Sequence, residues 1–77
     1  MGEAVKKAYW ELHSLTWKLI LKPYLDNPSG YDWDKMTYTA QNIYNRYRET
    51  CGEQYTCQEV MLAVRKVNEM AGKRVAA

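Results

Sequence analysis

The chain has no phenylalanine, one histidine, two cysteines and two prolines among its 77 residues. Two Cys and one His fall short of the roughly four ligands of a structural zinc site, so no metal is expected. Asp32 and Asp34 look like half of a calcium loop, but the glycine and the distal Glu of that loop are missing. No Gly-rich phosphate loop, nucleophile elbow or cleft-framed acid pair is present. A catalytic role for His13, alone of its kind, would need a positioned acid or nucleophile in a pocket, which a three-helix domain of this size rarely encloses. The expectation is a protein that is not an enzyme and needs no cofactor, with His13 a partly exposed helical residue.

Long apolar runs are missing too. The longest, Val60-Met61-Leu62-Ala63-Val64, is far too short to span a bilayer. Glu3 and Glu11 interrupt the N-terminal segment, which does not read as a signal peptide. Gly2 follows Met1, but Lys6 stands where N-myristoylation requires Ser or Thr. Pro28 occupies the forbidden middle position of Asn27-Pro28-Ser29, which rules out glycosylation there. A cytoplasmic protein without a membrane partner is expected.

What is present is ordinary globular material, 47% apolar and 26% charged, which argues against disorder. The length fits a single domain, 1–77, that buries only about 60% of its unfolded surface. The aromatic residues are seven Tyr and three Trp, whose apolar bodies and polar tips suit half-wet surfaces and interfaces. The formal charge of +2 is too small to imply nucleic acid by itself. Residues 61–77 are locally basic and 31–60 locally acidic.

Periodicity predicts an all-α fold, a small three-helix bundle with helices over about 3–22, 32–51 and 57–74. On the first helix Val5, Ala8, Tyr9, Leu12, Leu15, Thr16 and Leu19 share one half. Pro23 lacks an N–H and disfavours helix at Lys22, so the helix should end or kink there. Asp26-Asn27-Pro28-Ser29-Gly30 is a dense turn cluster. Asp32 caps the second helix, whose stripe is Trp33, Met36, Ala40, Ile43, Tyr47 and Thr50/Cys51. Gly52 stands where a left-handed C-terminal cap is wanted. Thr56 and Glu59 form a capping box for the third helix, followed at core spacing by Cys57, Val60, Val64, Val67 and Ala71. Cys51 and Cys57 read as small buried hydrophobes on core faces. No segment alternates like a strand.

The first helix carries a second apolar stripe. Trp10, Trp17, Leu21 and Tyr24 project more than about 100° from the Leu12 stripe, at the seven-four-three spacing of a heptad seam. A helix apolar on two sides is either sandwiched within its fold or meets another chain. In the first case the other two helices straddle it, or residues 23–30 fold back over Trp17 and Leu21. In the second, roughly 300–500 Å² of stripe is left for a partner, and its burial contributes on the order of 10 kcal/mol gross per subunit. The leading expectation is a small protein-interaction module, a homodimer bound through Trp10, Trp17, Leu21 and Tyr24.

The alternative is a nucleic-acid-binding module. The second helix, a turn at Gly52–Tyr55 and the third helix loosely fit a helix-turn-helix, with Gln58, Leu62, Arg65, Lys66 and Glu69 facing outward. Arg65, Lys66, Lys73 and Arg74 would supply the charge, and Tyr38 and Tyr55 could stack on bases. Glu59 and Glu69 on the same helix, with Glu49 and Glu53 beside it, oppose phosphate binding.

Overall fold

A computed structural model describes residues 2–72 of the chain. They form an all-α, three-helix bundle without strands among the described residues. The first helix is continuous from Glu3 to Asp26 in three stretches: α1 over Glu3–Thr16, a π-helical stretch over Trp17–Leu21, and α2 over Lys22–Asp26. A short loop leads to α3, Trp33–Cys51, and Gly52 alone separates α3 from α4, Glu53–Met70.

The first helix therefore runs past Pro23 instead of stopping near Lys22. A proline inside an α-helix clashes with the carbonyl four residues back and gives it no donor. The chain avoids this by widening one turn just ahead of the proline: the Lys22 N–H reaches the Trp17 carbonyl, five residues back. Pro23 then sits in the first turn of α2, where a missing N–H costs nothing. The wider turn sets later side chains back by about 100°, one residue's rotation. The buried row of the helix is Leu12, Thr16, Ile20 and Tyr24, spaced by four throughout. In an unbroken α-helix that row would drift off the core by about 40° per step. Leu19, expected in the core, is exposed, and Ile20 takes its place.

Tyrosine hydroxyls fasten the first helix to α3 and its preceding loop. Tyr9 donates to the Cys51 carbonyl at 3.1 Å, Tyr47 to Glu11 Oε2 at 3.2 Å, and Tyr31 to the Ile20 carbonyl in the π stretch at 2.9 Å. These pairings place the start of α1 beside the end of α3, so the two run antiparallel. Asp32 caps α3 by accepting from the Lys35 N–H at 2.9 Å, as the sequence implies. Met36, Ile43, Tyr47 and Cys51 fill the core, while Thr50 stays exposed.

The start of α4 differs from expectation. Gly52 has φ 91° and ψ 143°, a positive-φ region outside the left-handed helical basin and almost reserved for glycine. This residue ends α3 and starts α4 at once, and the Thr56 N–H bonds the Gly52 carbonyl at 3.0 Å. Thr56 is thus a fully buried interior residue, not a cap: its hydroxyl donates to the Tyr47 carbonyl at 3.3 Å. Glu59 accepts from Tyr55 at 3.1 Å instead of closing a capping box. The helix starts four residues early, and its buried row runs through Thr56, so the neighbouring Cys57 points away from it and is exposed, against the expected core position. Val60, Ala63 and Val67 are buried and Val64 is half-buried. The helix ends at Met70, with Gly72 at φ 73°; the expected stretch 73–74 lies outside the described residues.

Candidate interaction surface

The rings of Tyr9, midway along α1, and Tyr55, in the first turn of α4, meet edge to face with centroids 4.8 Å apart. Leu25, at the far end of the first helix, lines a common groove with Glu69 and Met70 at the end of α4. The first helix and α4 therefore run parallel, with a groove of about 420 Å³ between them. Its first-helix wall is His13, Thr16, Trp17, Leu21 and Leu25, and its α4 wall includes Glu59, Leu62, Ala63, Lys66 and Met70. Trp17 remains 46% exposed, Leu25 52%, Leu62 45% and Met70 45%. These four large apolar side chains ring one depression. Polar side chains are few there: Glu59 and Glu69 against Lys66, with His13 at one end.

The structure divides the four stripe residues. Trp10 is 68% exposed, and its ring lies 6.1 Å from that of His13. Trp17 lines the groove. Leu21 also lines it but is half-buried and packs against the core. Tyr24 is buried, at 5.4 Å from Tyr31 and 6.2 Å from Trp33 in an aromatic cluster that closes the loop end of the bundle. The heptad seam therefore breaks between Trp17 and Tyr24, and Tyr24 cannot contact a partner without unpacking. The π turn is the cause. It rotates Tyr24 from the Trp17 side into the core and brings Leu25 to the groove.

Leu25 and Met70 were not among the residues the sequence singled out, and Leu62 was named only as an outward residue of the nucleic-acid alternative. Leu25 lies beyond Pro23, and its direction depends on the π register. Leu62 and Met70 did carry a signal, as large apolar residues off the Val60–Val67 stripe of their helix.

A second hollow of about 460 Å³ lies between α3 and α4, lined partly by Gln41, Tyr44 and Asn45. Its one large exposed apolar residue is Met61. Leu19, 47% exposed, lies alone of its kind in a third hollow, beside Lys35 and Met36 of α3, so the groove between the first helix and α4 gathers more large exposed apolar residues than either of these hollows.

Of the four basic residues, Arg65 and Lys66 are exposed, and Lys73 and Arg74 lie outside the described residues. Lys66 faces the groove in company with Glu59 and Glu69. The three- to four-residue turn of a helix-turn-helix, expected over Gly52–Tyr55, is replaced by Gly52 alone, because Glu53, Gln54 and Tyr55 are helical. Burial raises the Cys51 thiol above its ordinary range, which makes it a poor nucleophile. Tyr47 is likewise raised, first by burial and then by its hydrogen bond to the Glu11 carboxylate. Among the described residues no group of three or more His, Cys, Asp and Glu side chains could hold a metal ion, and no helix is long and apolar enough to cross a membrane.

No family model, curated protein or solved structure matches the chain.

Proposed function

We propose that this protein is a small, non-catalytic interaction module that self-associates through the outer face of its first helix and the adjoining groove against α4. The observation that carries this reading is the gathering of Trp17, Leu25, Leu62 and Met70 around one groove, with Trp10 on the crest beside it. The same reading places the chain in the cytoplasm, where an exposed thiol such as Cys57 stays reduced.

The area is adequate for a dimer. The exposed fractions of Trp10 and Trp17 together amount to a little more than one whole indole side chain, which is about 170–280 Å². Three half-exposed aliphatic side chains bring the apolar total to about 350 Å². Specific interfaces are about 57% apolar, so this face corresponds to about 600 Å² per subunit, the lower end of stable interfaces. Burying the apolar part on two subunits contributes about 18 kcal/mol gross, against an association cost of about 4–15 kcal/mol. The balance is about 3–14 kcal/mol, and its midpoint corresponds to a dissociation constant on the order of micromolar.

Light scattering across about 1–100 µM chain tests this, because the range brackets that affinity. The mass should rise from one subunit to two. Trp17→Ala should weaken association by about tenfold or more, while Tyr38→Ala, an exposed tyrosine on α3, should leave it unchanged. A single-subunit mass throughout would end the proposal.

A further inference from the structure

Resting on that self-association, we infer that two copies pair their first helices antiparallel about a two-fold axis near Ser14, so that each Trp10 fills the groove of the other copy. Trp10 is the most exposed large apolar side chain among the described residues. It stands at one end of the helix face on which the groove begins, at His13, and extends to Leu25. Mid-groove lies between Trp17 and Leu21, about 13 Å further along the axis. A protruding ring and a hollow offset along one helix cannot meet within a subunit. They meet twice between subunits when the two helices run in opposite directions. Isologous pairing puts the same patch on both sides, and bringing Trp10 opposite mid-groove sets the axis close to Ser14.

The chemistry is complementary. The groove holds about 420 Å³, in the range of clefts that accept small molecules. Its walls are apolar, and its carboxylates, Glu59 and Glu69, are acceptors for an indole N–H, which only donates. Glu11 and Lys18 share the α3-side flank beside Trp10 with Lys7 and Arg46, and Glu11 also meets Lys7 and Tyr47 of its own subunit. With the axis near Ser14, each Glu11 comes opposite the partner's Lys18. A parallel pairing would set each of these charges against its own like, stack Trp10 on the partner's Trp10 and leave both grooves empty. An unrelated amphipathic helix could also occupy the groove, but it would leave Trp10 without a seat.

Single cysteines placed in a Cys57→Ser background separate the arrangements. A disulfide requires Cα atoms about 4.4–6.8 Å apart. Near the axis Ser14→Cys meets that condition, whereas two Lys7→Cys positions stand about 21 Å apart along the antiparallel helices. Each variant is first weighed in solution, and its helix content is compared with the parent's by circular dichroism. On mild oxidation Ser14→Cys should cross-link about tenfold more than Lys7→Cys. Comparable cross-linking of both would mean parallel helices and overturn the inference. A dimeric mass with neither cross-linked would mean that another surface pairs, with the same consequence. A parent chain that stays monomeric overturns the self-association itself, so the two failures are read from different measurements.

Discussion

The two flanks of the first helix are built from the same kinds of residue and finished differently. Toward α3, three tyrosine hydroxyls reach acceptors across the interface, from Tyr9, Tyr47 and Tyr31, and the rings beneath them are buried or half-buried. Toward α4, the Tyr9–Tyr55 ring contact closes one end. Among the described residues no side-chain hydrogen bond joins the first helix to α4, and Trp17, Leu25, Leu62 and Met70 stay wet. An aromatic side chain seals an interface when its polar tip finds a partner across it. Leu12, Thr16, Ile20 and Tyr24 face inward, where α3 and α4 together cover them, and nothing among the described residues covers the opposite crest.

The sharpest way to break this contrast is to damage the sealed side. Ile20 is fully buried and belongs to the π stretch. Ile20→Ala should destabilise the fold by about 2–5 kcal/mol through lost transfer energy and the cavity left behind. Urea unfolding followed by circular dichroism measures it. For a 77-residue chain of marginal stability that loss is a large part of the total. An effect below about 1 kcal/mol would mean that the π stretch collapses around the gap, and that the inner flank is less closely packed than it looks.

A smaller effect isolates one tyrosine tip. Tyr31→Phe removes the hydroxyl that donates to the Ile20 carbonyl and keeps the ring against Tyr24 and Trp33. The expected loss is about 0.5–1.5 kcal/mol. Burial raises the Tyr31 phenol above its ordinary value of about 10, so the folded state holds this proton more tightly than the unfolded one. Its contribution is complete below that ordinary value and is lost as the pH rises beyond it. Tyr31→Phe should therefore show a shallower fall in stability under alkaline conditions than the parent, in unfolding curves taken at a series of pH values.

The sequence made the helical layout legible, and it did so where local rules act alone. Asp32 caps α3 as an Asp before an apolar period should, and the three-four alternation of Met36, Ile43 and Tyr47 is buried as spaced. It misled where one residue changes the register. A period of 100° per residue presumes an α-helix, so Ile20 and Tyr24 fell on the wrong side and Leu19 on the right one. The row Leu12, Thr16, Ile20, Tyr24, four apart throughout and ending just past a proline, was the sign of a wider turn. Thr56 and Glu59 fit a capping box by composition, but Gly52, able to hold φ 91°, lets α4 begin four residues sooner. For the candidate surface, the distance of Trp10 and Trp17 from the Leu12 stripe was readable. The share supplied by Leu62 and Met70 depends on how α4 packs, which no single-helix period encodes.

The smallest expected effect is that of Trp10→Ser, set against a second tryptophan. Trp33 lies in the ring cluster, with its centroid 4.9 Å from that of Tyr31, and Trp10 stands on the open crest. At chain concentrations well below the dissociation constant, Trp10→Ser should change unfolding free energy by no more than about 0.5 kcal/mol, as surface substitutions do. Trp33→Ala should cost about 3 kcal/mol, because it removes a half-buried ring from a cluster that closes the loop end. As concentration rises the parent and Trp10→Ser should diverge further. The parent gains stability by mass action as it pairs, and Trp10→Ser does not. A Trp10→Ser chain that gains as much as the parent on concentration would show that the crest plays no part in pairing. The unsealed flank would then be an ordinary wet surface, and the contrast between the two sides of the helix would be one of packing alone.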